Sequence, residues 1–151
     1  IGKLKKNCMK GITLLLILSL TISCRTAKED RQIKQIYVRE FKTTYFKSLL
    51  RKGFNNNNGY NNAVEIDNSN FAEPILSPED SKYIDSLTTE GNQFMASDSL
   101  QSFGNRAEGA EGKQVFYFAL EKYKSRWLDS VCKQRLKKYW KSEREFRKSM
   151  R

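Results

Sequence analysis

The chain has no histidine, which removes the commonest general base, most zinc-ligand sets and the usual serine or cysteine triads. It also lacks a long apolar run. Gly11 to Ile22 supplies about a dozen mostly apolar residues, well short of the roughly 20 that a spanning helix needs. Oxygen ligands are no better arranged. Asp67, Asn68, Ser69, Asn70 and Glu73 lack the alternating ligands, central glycine and closing glutamate of an EF-hand loop, so no metal is expected. Gly104, Gly109 and Gly112 precede a helical stretch, yet no Lys-Ser/Thr follows and no strand precedes, so they do not make a phosphate loop. Paired acids such as Glu79 and Asp80 are explained by a helix start. A thin helical chain offers no cleft in which two carboxylates face each other. No catalytic residue is assigned, and the chain is read as not an enzyme.

What is present begins with an export signal. Lys3, Lys5, Lys6 and Lys10 precede the apolar run, which ends in small Ser23 and then Cys24, the order of a removable bacterial signal peptide over residues 1–23. The box Thr21-Ile22-Ser23-Cys24 resembles that of bacterial lipoproteins, in relaxed form because Leu20 stands one place too early. The resemblance implies a thioether-linked diacylglycerol and an acyl chain (palmitate) on Cys24, hence a lipid bilayer as partner and no other cofactor. Ordinary secretion after small residues is the alternative. Relaxed boxes with Lys- and Asn-rich mature chains are similar to small surface lipoproteins of spirochaetes of the Borrelia type; the specific resemblance covers the signal alone. Ile1 is not an ordinary initiator, and Met9 is an alternative start that would leave out Cys8.

Residues 24–151 suffice for one small helical domain, and abundant aromatics on helical spacings argue against disorder. The net charge of +11 is uneven. Cys24 to Cys132 carries 15 basic and 15 acidic residues. The mature surplus therefore sits at the basic C-terminal helix end, 133–151, where Lys133, Arg135, Lys137, Lys138, Lys141, Arg144, Arg147, Lys148 and Arg151 face only Glu143 and Glu145.

The periodicity predicts an all-α fold, a three-helix bundle or long helical hairpin with an Asn-rich loop. Thr26-Ala27-Lys28-Glu29 reads as a capping box that opens the first helix. Ile33, Tyr37, Phe41, Tyr45 and Leu49 then form its stripe, widened by Ile36, Phe46 and Leu50, with Gly53 as C-cap. Residues 54–76 hold eight asparagines and read as a flexible loop, with a short strand at Val64 and Ile66 as its only regular option. Ser77-Pro78-Glu79-Asp80 opens a second helix, carrying Tyr83, Ile84, Leu87, Phe94 and Met95. A third is expected unbroken from Lys113 to about Lys148 on the face Phe116, Leu120, Tyr123, Trp127, Val131, Cys132, Leu136 and Tyr139. If the three run up, down and up, the basic end overhangs on the side away from the membrane.

The nine cations, interleaved with Tyr139, Trp140 and Phe146, suit a polyanion such as a glycosaminoglycan or anionic headgroups, or a protein ligand. The alternative is a solvated helix end complementing its dipole. Nucleic acid is not expected outside the cytoplasm. Cys132, the one thiol remaining after Cys24 is acylated, is either buried in the third helix or available for a dimer disulfide. The reading is a lipid-anchored, non-catalytic binding protein of the outer membrane at the cell surface. The alternatives are a periplasm-facing structural lipoprotein whose basic tail contacts envelope polyanions, and a secreted soluble binder.

Overall fold

The computed structural model describes residues 2–67, 75–101 and 112–149, with side chains for 28–67, 75–101, 112–143 and 145. The described residues form five helices, α1 (Gly2–Gly53), α2 (Asn58–Ile66), α3 (Pro78–Gln101), α4 (Val115–Lys124) and α5 (Arg126–Ser149), and contain no strand. The fold is all-α. Two compact units divide the chain, Ile1–Ile36 and Tyr37–Arg151. The first unit is the N-terminal part of α1. No helix among the described residues is long and apolar enough to cross a membrane. The helix start expected at Thr26 is not used, because α1 is already helical from Gly2; the Leu- and Ile-rich segment before it favours helix and carries it through.

The second unit is a bundle built on one stripe of α1. Tyr37, Phe41, Tyr45 and Leu49 recur every fourth residue and are all fully buried, as the period predicts. Their partners are Ile84, Thr88 and Met95 of α3, Val115 and Ala119 of α4, and Leu128, Val131 and Cys132 of α5.

The order of contacts along α1 fixes the direction of each helix. Ser48 meets Thr88, Gly53 faces Met95, and the hydroxyl of Tyr37 couples to Asp80, so α3 runs parallel to α1. By contrast, Tyr37 packs on Tyr139, Lys42 on Asp129, Tyr45 on Trp127 and Gly53 on Val115. The α4–α5 arm is therefore antiparallel to α1. The arrangement is up-up-down, not up-down-up, and the stretch after α1 must return the chain along the bundle before α3 begins.

That return contains a helix where a loop or short strand was expected. Asparagine-rich sequence still forms α2 because the Asn57 side chain accepts the Gly59 amide at 2.8 Å, satisfying a free donor of the first turn. Tyr60 then ties the helix down, its hydroxyl donating to the Lys47 carbonyl at 2.9 Å. Asparagine also ends α1. The Asn56 amide bonds to the Arg51 carbonyl at 2.8 Å and the Asn55 amide to the Lys52 carbonyl at 3.0 Å, a Schellman closure with Asn55 (φ 54°) in the left-handed position. Gly53, expected there, is instead the last helical residue. It is glycine because a Cβ would lie 2.4 Å from Val115 Cγ1.

The second helix start is as expected and more elaborate. Ser77 Oγ accepts the Asp80 amide at 3.1 Å, and Asp80 Oδ2 accepts from both the Ser77 hydroxyl at 2.9 Å and the Ser77 amide at 3.2 Å, a reciprocal box. Farther along α3 the inward line is Ile84, Thr88, Gly91 and Met95, while Phe94 turns out and stacks on Phe118 at 5.4 Å.

The expected single third helix is broken at Ser125, whose ψ of 144° is extended. Its hydroxyl donates to the Lys122 carbonyl at 2.6 Å and accepts the Leu128 amide at 3.2 Å, closing one helix and capping the next. The break re-phases the apolar stripe. Val115 and Ala119 are inside on α4, whereas Phe116 (59%), Leu120 (42%) and Trp127 (43%) from the expected face are exposed.

The Gly53 contact separates helix propensity from packing. Replacing Gly53 by alanine in an open helix adds about 1 kcal/mol of stability; here we expect Gly53→Ala to lose about 1–3 kcal/mol through overpacking. Urea denaturation measures it, and Val115→Ala in the same chain should recover most of the loss.

Candidate functional site

Cys24, the expected lipidation residue, lies within α1 in the first unit; its side chain is outside the described residues. The calcium reading at 67–73 falls mostly outside them, as does the glycine connection except Gly112, which has φ +95°. Among the described residues no group of three His, Cys, Asp or Glu could hold a metal ion.

The expected basic surface is partly engaged within the fold. Arg135 does not face solvent: its Nε donates to Asp80 Oδ1 at 2.7 Å and its guanidinium lies over the Tyr83 ring at 5.0 Å. Burial works against this charge, but the hydrogen bond and attraction of Asp80 outweigh it and raise the Arg135 pKa. Lys138 pairs with Glu79 at 2.9 Å and Lys141 approaches Glu145 at 4.0 Å. The Lys138 hydrogen bond and charge lower the Glu79 pKa. Lys133 and Lys137 are exposed. The side chains of Arg144, Arg147 and Lys148 are outside the described residues, and Arg151 lies beyond them.

Around the Asp80–Arg135 pair is a cavity of about 440 Å³, also bordered by Ser77, Glu79, Lys138, Tyr139 and Ser142. The hydroxyl of fully buried Tyr37 couples electrostatically to the pair but is not aligned for a hydrogen bond. Its pKa is pushed well above the phenol range by burial first and the Asp80 carboxylate next. The cavity's charges balance, two of each sign. The arrangement locks α3 to α5.

Two other cations join elements in the same way. Lys42 bonds to Asp129 at 2.8 Å and sits over Tyr123 at 4.8 Å, linking α1 to the α4–α5 arm. Lys113 Nζ donates to the Gly53 carbonyl at 3.1 Å, Asn55 Oδ1 at 2.9 Å and Asn92 Oδ1 at 3.1 Å. It thereby places a cation on the negative end of α1.

Cys132 is free and fully buried, the packing alternative of the two. Burial pushes its thiol up to about 11.

A second cavity was not anticipated. Between α1, α2 and α4 lies an apolar groove of about 500 Å³ lined by Phe46, Leu50, Tyr60, Val64, Leu120 and Tyr123, with Lys47 and Asp67 paired at 2.9 Å at its edge. The signal for it was the helical spacing of Tyr60, Ala63, Val64 and Asp67, hidden beneath the asparagine content of 54–76.

Comparison with protein-family models, with curated proteins and with solved structures finds no match to this chain.

Two outcomes follow from the buried groups. Arg135→Met leaves the Asp80 carboxylate buried without its countercharge, and we expect a loss of about 3 kcal/mol in a denaturant titration; a combined Asp80→Ser, Arg135→Met variant should lose less than the two single losses added. For Cys132, the folded-state value of about 11 exceeds the ordinary 9.0, so folding favours the neutral thiol. Its contribution is full below pH 9 and is lost as pH rises through 11. The denaturation midpoint should hold from pH 7 to 9 and fall above it, less steeply in Cys132→Ala. Native protein at pH 8 should also resist alkylation that proceeds readily in urea.

Proposed function

We propose that the chain is a lipid-anchored protein of the bacterial cell envelope, held in the bilayer through Cys24 and acting by binding rather than catalysis. The observation that carries the reading is the placement of Cys24 directly after a basic start and a short apolar run. That run is too short to hold the protein in the membrane by itself, so a covalent lipid is the anchor that fits it.

The basic end, residues 133–151, is in this reading a second contact with the envelope, with anionic headgroups as its polyanion, each exposed Lys or Arg near the surface adding about 1 kcal/mol. An outer-membrane protein at the cell surface is the location this reading takes.

Intact cells treated with trypsin, followed by mass analysis of the released peptides and of what stays on Cys24, test the proposal. We expect Cys24 to carry diacylglycerol and an acyl chain, Cys24→Ala to leave the membrane fraction, and bundle peptides to be shaved from unbroken cells. Unmodified Cys24 in a protein released to the medium would overturn the anchor. Full protection until the outer membrane is opened would move the protein to the periplasmic face.

A further inference from the structure

The groove between α1, α2 and α4 has the build of a ligand site that the anchor and the basic end do not use. Its walls are apolar: Phe46 and Leu50 from α1, Val64 from α2, Leu120 and Tyr123 from α4. The size, about 500 Å³, falls within the range of small-molecule sites. At roughly 30 Å³ for each water- or methylene-sized group, it accommodates a chain of about a dozen to sixteen carbons. No residue of α2 is buried, so this short helix covers the groove without filling it. Its two charged groups are paired with each other, the Lys47 ammonium and the Asp67 carboxylate lying 2.9 Å apart and 23% and 40% exposed, and Thr43 and the tyrosines Tyr60 and Tyr123 also line it.

An apolar trough with one cation and one anion at its edge matches a ligand of complementary construction. We propose that the groove binds a single-chain zwitterionic amphiphile of the lysophospholipid class. The acyl chain lies along Phe46, Leu50, Val64 and Leu120, the phosphate pairs with Lys47, and the headgroup ammonium pairs with Asp67. An exposed ion pair contributes little by itself, so Lys47 and Asp67 can exchange each other for the two ends of a headgroup with both charges still compensated. A fatty acid would satisfy Lys47 and leave Asp67 facing a second carboxylate. A neutral monoacylglycerol would use neither.

Calorimetric titration of the full chain with lauroyl lysophosphatidylcholine below its micelle concentration tests the site, with laurate and monolauroylglycerol as comparators. Saturable one-to-one binding, tightest for the zwitterion, is expected. Because residues 11–22 are themselves apolar, the groove is identified by variants that leave them untouched. Ala63→Trp fills the groove from α2, and Leu120→Arg places a charge in its opposite wall; each should weaken binding at least about tenfold. Both positions are exposed, and unchanged circular dichroism confirms folding. Lys47→Gln and Asp67→Asn should each weaken the zwitterion several-fold while leaving monolauroylglycerol within about twofold. Absence of saturable binding would overturn the proposal, as would binding that both groove variants retain, or a preference for laurate. A self-associating chain whose dimer is abolished by Ala63→Trp, with no lipid uptake, would assign the groove to a second copy instead.

Discussion

The bundle depends on a single stripe of α1. Tyr37, Phe41, Tyr45 and Leu49 stand one above another at four-residue spacing, and three of the four are aromatic, so a narrow strip presents a large apolar area. Two of its aromatics meet rings on α5, Tyr37 with Tyr139 and Tyr45 with Trp127, while Phe46 beside the strip meets Tyr123 on α4. The remaining helices are ordered by which rung they occupy. Because the rungs are read upward by α3 and downward by the α4–α5 arm, the stripe sets direction as well as burial. Close approach along this strip also explains two glycines, one on α3 and one at the end of α1 itself. Gly91 lies where a Cβ would sit 3.0 Å from Leu49 Cδ1, and Gly53 where one would strike Val115.

Polar contacts supply what the stripe cannot, which is registration at the ends. Asp80 caps the start of α3 through one carboxylate oxygen and receives Arg135 of α5 through the other. A helix cap and an inter-helix bond thus share one side chain. At the opposite end, Lys113 gathers three neutral acceptors from α1, the turn after it and α3. Lys42 joins the middle. Pairs of this kind add little to stability relative to apolar packing but penalise any arrangement that leaves one member buried alone. A helix shifted by one turn would strand Asp80 without Arg135, so the pair selects one register.

The helices that carry the core were legible because burial leaves a period. The α1 stripe, the Ser77-Pro78 start and the burial of Cys132 follow from spacing alone. What spacing did not reveal were events decided by single hydrogen bonds. Ser125 sits inside an otherwise continuous pattern, and one hydroxyl both terminates α4 and caps α5, so that the inward line runs through Val115 and Ala119 before the break and Leu128, Val131 and Cys132 after it. In 54–76 asparagine content pointed to loop, whereas Asn57 acts as a cap and Asn55 as a left-handed closure, two roles in which asparagine favours helices at their ends. Composition could not separate those roles from a turn. The basic cluster was legible as charge but not as geometry: the sequence interval from Asp80 to Arg135 carries no trace that they meet.

The direction of α3 has a consequence that reaches the groove. Two consecutive antiparallel helices can be joined by a few residues and pack along their whole length, leaving nothing between them. Parallel neighbours need a return segment as long as the helix itself. In this bundle the return begins with α2, laid against α1 and α4 by Tyr60, through its hydroxyl bond to Lys47 and its ring 6.0 Å from Phe54. Nine residues with no buried member cannot fill the space beneath them as a full helix would. The trough lined by Phe46, Leu50 and Leu120 is thus a by-product of connectivity. A chain rearranged so that α3 followed α1 antiparallel would keep the α1 stripe and lose the groove.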